Sequence, residues 1–86
     1  MLPFKDNILD TNIVERIFSR EIDDIELMWH RDTEDRIISS TLKTNWKIQL
    51  EDELPKIIED EVFIEEGRWH RLIKGDGDLI LKIIRV

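Results

Sequence analysis

The tripeptide Trp-His-Arg occurs twice, at Trp29-His30-Arg31 and Trp69-His70-Arg71, and it holds the only two histidines of the chain. An imidazole changes charge near neutral pH, so a positioned histidine can give or take a proton there. Carboxylates follow the first copy closely, at Asp32, Glu34 and Asp35. A histidine held beside a carboxylate is a general acid–base pair. Arginines are interleaved at Arg31, Arg36, Arg68 and Arg71, a local basic patch able to hold a small anion. Arg31, Arg36 and Arg71 are also expected to pair with Asp32, Glu34 or Asp35. Nucleophilic catalysis finds no support. Cysteine is absent, and Ser39 and Ser40 fall mid-strand with no base nearby in sequence.

Such chemistry requires the two histidines to meet, and strand parity allows it. Alternate residues of a strand face opposite ways. In IELMWHRD, Ile25, Leu27 and Trp29 share one face, and Glu26, Met28 and His30 the other. In RWHRLI, His70 and Leu72 lie opposite Trp69 and Arg71. If both histidine-bearing faces look into a barrel, His30 and His70 converge. Each unpaired buried polar group would cost about 1–3 kcal/mol, so partners are needed, and the neighbouring carboxylates are the candidates. Trp29, Trp46 and Trp69 can serve either as core packing or as a stacking wall for a ligand.

The elements that must position these residues have a period of two. Trp46, Ile48 and Leu50 share a face, as do Leu79, Leu81 and Ile83, with Lys82 opposite. RIISSTL is β-branched, and Lys43-Thr44-Asn45 is expected to close a hairpin into NWKIQL. VFI is a short strand, Glu65-Glu66-Gly67 a turn, and Trp69 to Ile73 the next strand. Lys74-Gly75-Asp76-Gly77-Asp78 reads as a second hairpin turn, since both glycines can take positive φ. Residues 10–26 fit a strand, IVERIFS, followed by a turn at Glu21 to Asp24. They also fit a helix, which would make the domain α+β. The strand is preferred because the rest is β. The fold expected is an all-β sandwich or barrel.

Bulk properties narrow the classes. Eighty-six residues make one domain, 1–86, with 1–24 as an N-terminal arm or strand. A chain of this size buries only about 60–65% of its unfolded surface, so a homodimer is expected. The net charge of −7 disfavours nucleic acid. The acidic runs Glu51-Asp52-Glu53 and Glu59-Asp60-Glu61 read as solvated turns. No apolar run approaches the ~20 residues that span a bilayer. No signal-peptide pattern opens the chain, and a cytoplasmic location is expected.

The stretch EDEVFIEEGRWHRLIKG resembles the second motif of the cupins, G-x5-P-x-G-x2-H. Gly67 and His70 match, while Glu59 and Glu65 replace the first glycine and the proline. MWHRDTEDRIISSTLKTNW is similar in part to the first motif, H-x-H-x3–4-E. His30 stands for its second histidine, Met28 for its first, and Asp35 or Glu34 for the glutamate. A narrower similarity joins Trp29 to Arg36 and His70 to Gly75 to tiny single-domain cupin-like proteins of marine phage and bacterial genomes. The resemblance covers Glu26 to Val86. It implies a small double-stranded β-helix, or jelly-roll, barrel. It further implies one divalent ion (iron, manganese, nickel or zinc) held by His30, His70 and Asp35 or Glu34. Met28, Asp32, Glu34, Arg36 and Trp46 would line the ligand pocket, and Asp32 can substitute as a ligand if its strand stays regular. A small polar or carboxylate-bearing ligand, and isomerisation or oxygen-dependent chemistry, would suit such a site. The alternative is a metal-free polar cluster in a non-catalytic structural or protein-interaction module.

Overall fold

The computed structural model describes residues 4–24 and 27–86. Ile25 and Glu26, part of the parity reading, lie outside the described residues. Eight strands form in order: β1 (Lys5–Asp10), β2 (Ile13–Phe18), β3 (Arg36–Ser40), β4 (Lys47–Leu50), β5 (Lys56–Ile57), β6 (Val62–Ile64), β7 (His70–Ile73) and β8 (Leu79–Arg85). They make a five-stranded sheet, β1-β2-β8-β3-β6, and a three-stranded sheet, β5-β4-β7. Every pairing is antiparallel. The fold is all-β, with the two antiparallel sheets enclosing one core as in a jelly-roll barrel. The run Ile13 to Phe18, rich in β-branched residues, forms a strand, so the helical alternative does not hold there. Among the described residues no helix is long and apolar enough to cross a membrane.

Period-two patterning places the core between the sheets. Val14, Phe18, Ile38, Val62, Ile64, Leu79, Leu81 and Ile83 come from the larger sheet, while Trp46, Ile48 and Leu50 come from the segment of β4. Burying each such aliphatic side chain contributes about 1.5–3 kcal/mol. Trp46 is fully buried, and its indole N–H donates to the Gly77 carbonyl at 3.0 Å. The polar tip of this large side chain is therefore satisfied.

Neither expected hairpin forms. β3 pairs with β6 and β8, whereas β4 pairs with β5 and β7. Residues 41–46 and 74–78 are instead crossings from one sheet to the other. A turn-rich segment bends the chain in either case, so local sequence cannot tell a hairpin from a crossing. The two crossings clip together. Asn45 Oδ1 accepts the Asp76 N–H at 2.8 Å, and Asn45 Nδ2 donates to Asp76 Oδ2 at 3.1 Å. Of the two glycines here, only Gly77 has positive φ, at 72°. Gly75 is needed for a different reason: a Cβ there would lie 2.6 Å from the Trp46 backbone nitrogen.

That close approach is testable. Gly75→Ala forces apart backbone that packs the two crossings, and should cost about 1–3 kcal/mol in urea denaturation. An unchanged midpoint would contradict the packing described.

Candidate metal centre

The first Trp-His-Arg copy lies against the second. The His30 N–H donates to the His70 carbonyl at 3.0 Å, and the His70 N–H donates to the His30 carbonyl at 2.9 Å. This is an isolated antiparallel bridge, because residues 27–35 otherwise form no strand. Directly opposed residues of an antiparallel pair share a face. The two imidazoles therefore stand side by side, with ring centroids 4.3 Å apart at 61°. His70 is held on its other edge by β4, where it pairs with Leu50. One ring is buried and the other open: the His70 side chain is 5% exposed and that of His30 52%.

The same antiparallel register explains the rest of the echo. Trp29 meets Arg71, whose guanidinium lies 5.0 Å from the indole centroid. Arg31 lies 5.2 Å over Trp69. Arg31 and Arg71 thus stack on tryptophans rather than pairing with Asp32, Glu34 or Asp35, and Arg71 Nε donates to Gln49. Trp29 and Trp69 are 40% and 39% exposed, so these two indoles are not core, in contrast to Trp46.

Asp32 turns back beneath the rings. Its Oδ2 lies 3.3 Å from His70 Nε2, and its Oδ1 lies 4.0 Å from His30 Nε2. Arg36 Nη1 is 3.4 Å from Asp32 Oδ2. Arg36 is itself gripped by Glu34, with Nη2 and Nε at 2.8 and 3.0 Å from Oε1. That hydrogen bonding holds the Glu34 carboxyl below its usual range. The loop is pinned from the other side by Gly67, whose N–H donates to the Asp32 carbonyl at 2.9 Å. Gly67 has a φ of 78°, which closes the turn ahead of His70.

The protonation pattern follows from donor chemistry. His30 Nδ1 lies 3.1 Å from the Met28 carbonyl, and His70 Nδ1 lies 2.7 Å from the Arg68 carbonyl. A carbonyl only accepts, so each Nδ1 carries a proton. In the neutral rings both Nε2 atoms then present lone pairs. Burial pushes His70 below the ordinary histidine value; His30 and Arg36 act the same way, while the Arg68 carbonyl and Asp32 oppose them. Asp32 Oδ2 is buried and has no hydrogen-bond partner among the described residues. Two lone pairs and a carboxylate thus face one another, with ligand atoms all within 4.8 Å. Beyond the Arg36 guanidinium at 3.4 Å, a shared cation, whether a proton or a metal, would bridge such a set. A two-histidine, one-carboxylate group with remaining positions open is an established divalent-metal arrangement. The hydrogen bond made by each Nδ1 is the usual support for a ligating imidazole.

The remaining sequence candidates are distributed as follows. Asp35, expected as the carboxylate ligand, points away and accepts the Glu66 N–H through Oδ1 at 2.7 Å. Its carbonyl accepts the Val86 N–H. Met28 is on the cavity wall, and it is its carbonyl that serves His30. Glu34 acts on Arg36 rather than on the rings. Trp46 is in the core, away from the cavity wall. Asp32, two residues after His30, stays on the same side as that ring, as it would in a regular strand, and the chain bends only after it, at Thr33 and Glu34. Sequence reasoning missed Arg16, which shares the cavity. Its inward parity with Val14 and Phe18 is a signal that could have found it.

The three groups border a cavity of about 360 Å³, within the range of small-molecule sites. Its far wall is apolar, formed by Phe18, Ile38, Ile48 and Leu81, and Arg16 and Arg36 are its cations.

No protein-family model and no curated protein sequence matches the chain. Solved structures do. A mannose-6-phosphate isomerase-like protein from Ralstonia eutropha JMP134 superposes with a TM-score of 0.68 at 13% identity, covering 95% of this chain and 81% of its own. Fe(II) HppE in complex with substrate gives 0.67 at 10% identity, covering 96% of this chain; this chain spans about half of it, 52%. A cupin domain from Bordetella pertussis Tohama I gives 0.57 at 12% identity, with 96% and 91% covered. At these identities the likeness is one of fold, and the fold is that of the cupins.

A pH dependence follows from His70. Its folded-state pKa lies below the ordinary value of 6.5, so on acidification the unfolded chain binds a proton first. Metal-free protein should therefore lose stability as pH falls through about 6.5, and His70→Gln should flatten that slope. Denaturant midpoints on either side of that pH check it; a slope unchanged in His70→Gln would remove His70 as its source.

Proposed function

We propose that this chain is a metal-binding cupin-like protein in which His30, Asp32 and His70 hold one divalent ion at the mouth of the barrel cavity. The observation that carries this reading is the Asp32 carboxylate set against both imidazoles, Oδ2 toward His70 Nε2 and Oδ1 toward His30 Nε2, with the three ligand atoms all within 4.8 Å of one another. Cupin-fold neighbours and a two-histidine, one-carboxylate group in ligating reach favour this reading over the structural-module alternative. Iron(II) is the first ion to test, since HppE, similar in fold, is known with Fe(II) and a substrate. Manganese, nickel and zinc follow.

When bound, the ion supplies Lewis acidity toward a substrate oxygen. The chain's own residues do the rest. Met28 and Arg68 fix the two rings through their carbonyls. Glu34 holds Arg36, and Arg36 lies against Asp32. The apolar wall excludes water around a ligand's body. Arg16, paired with Asp6, and Arg36, held by Glu34, add polar groups to an otherwise apolar lining, which supports a small ligand with both an apolar body and a polar group.

Metal analysis after purification and titration with each ion test the reading. One ion per chain is expected. Asp32→Asn and His70→Ala should each weaken binding by more than the roughly 10–100-fold typical of losing an outer support, while Asp35→Asn should retain it. Equal loss in Asp35→Asn, or no saturable binding by the unmodified protein, would overturn the assignment.

A further inference from the structure

The side of the His30–His70 bridge that turns away from the imidazoles takes no part in the metal centre. Trp29, Arg31, Trp69 and Arg71 fall on it, because each is one residue from a histidine and strand neighbours alternate sides. The β4–β7 ladder widens this face. Gln49 pairs with Arg71, and the Glu51 N–H donates to the Trp69 carbonyl at 2.8 Å. Beyond Glu51 the chain reverses: the Glu53 N–H donates to the Leu50 carbonyl at 3.1 Å, and Asp52 takes a φ of 64°. The two indoles, Gln49 and this turn (residues 51–54) enclose a groove of about 580 Å³, within the range of small-molecule sites. Its lining carries the carboxylates of Glu51, Asp52 and Glu53 and no basic side chain. Glu53 is paired with Arg68 at 3.0 Å. No ion pair engages Glu51 or Asp52 among the described residues. The indoles already seat cations, since Arg31 and Arg71 stack on them at 5.2 and 5.0 Å. Neither arginine lines the groove. An aromatic face is electron-rich, so rings and carboxylates attract the same kind of guest.

We propose that this groove is a second ligand site, and that it takes a small quaternary-ammonium cation, with methyl groups against Trp69 and Trp29 and the positive charge beside Glu51 and Asp52. Two features together select that chemistry. A bare metal ion finds carboxylates here but gains little from the indoles, because it holds its water shell tightly. A neutral sugar stacks on the indoles but leaves two carboxylates without a counter-charge. A quaternary ammonium carries its charge on an apolar, weakly hydrated surface, so it meets rings and carboxylates at once. The charge of the whole chain, −7, draws such a cation in as well. The groove lies on the other side of the bridge from the imidazoles, and the inference does not rest on the metal-site reading.

Choline titrated into the protein and followed through the indole N–H proton resonances tests this. The Trp69 signal should move and saturate. The signal of Trp46, buried and bonded to the Gly77 carbonyl, should stay still. Trp29 also borders the barrel cavity, so Trp69 is the diagnostic ring. At matched ionic strength, the uncharged isostere of choline, in which a tert-butyl group replaces the trimethylammonium, should bind about tenfold more weakly. Glycine betaine, whose carboxylate meets the acidic turn, should also bind more weakly than choline. Glu51→Gln combined with Asp52→Asn removes both exposed charges, and asparagine tolerates the positive φ at residue 52. With circular dichroism confirming its fold, this double variant should bind choline about tenfold more weakly. A Trp69 signal that does not saturate, a response confined to Trp29, an isostere or a betaine that binds as well as choline, or a folded double variant with unchanged affinity would each overturn the proposal.

Discussion

Two backbone hydrogen bonds between His30 and His70 organise everything else in the site. They fix register at a single position, and a fixed antiparallel register forces opposed side chains onto the same face. The segment that carries His30 gains no other ladder support. It is held instead by the turn at Gly67, which reaches the Asp32 carbonyl, and by Asp35, which reaches Glu66 and Val86. The carboxylate that does not face the rings is thus the one that anchors the loop. The carboxylate two residues after His30 is then free to face them.

Electrostatically the site is a cluster of acceptors. Each ring's Nδ1 is committed to a carbonyl, so the faces turned toward Asp32 have lone pairs to offer. Arg36 neutralises part of the carboxylate charge but is itself shared with Glu34. What remains is a buried oxygen with an ion-pair neighbour but no hydrogen bond. Native structures rarely keep such a group without a use for it. Burial of His70 favours its neutral form, the form able to ligate, so the same packing that builds the core also prepares the ring.

The larger sheet does double service. Its inner face, with Leu79, Leu81 and Ile83 at the centre, forms the apolar wall of the cavity and the seat of Trp46. Trp46 and the two clipped crossings lead into β4, which carries β7 and therefore His70. The outer face of the same strands carries isoleucines in register, Ile13 with Ile84 and Ile84 with Ile37. Core, cavity and outer face are thus alternate sides of β2, β3 and β8.

Alternation of side chains was readable directly from the sequence. The inward sets Trp46, Ile48, Leu50 and Leu79, Leu81, Ile83 follow from period two, as do β2 and the shared face of His70 and Leu72. The convergence of the histidines and the cupin-like barrel were also legible, the latter through Gly67 and His70. Pairing partners were not. Whether residues 41–46 and 74–78 close hairpins or cross between sheets depends on which distant strand each neighbour meets, and turn residues serve both. The identity of the carboxylate beside the rings was likewise a tertiary outcome. Asp32, Glu34 and Asp35 are chemically alike and nearly adjacent. Only the bend at Thr33 and hydrogen bonds to Gly67 and Glu66, more than 30 positions away, separate the residue that faces the imidazoles from the one that ties down the loop.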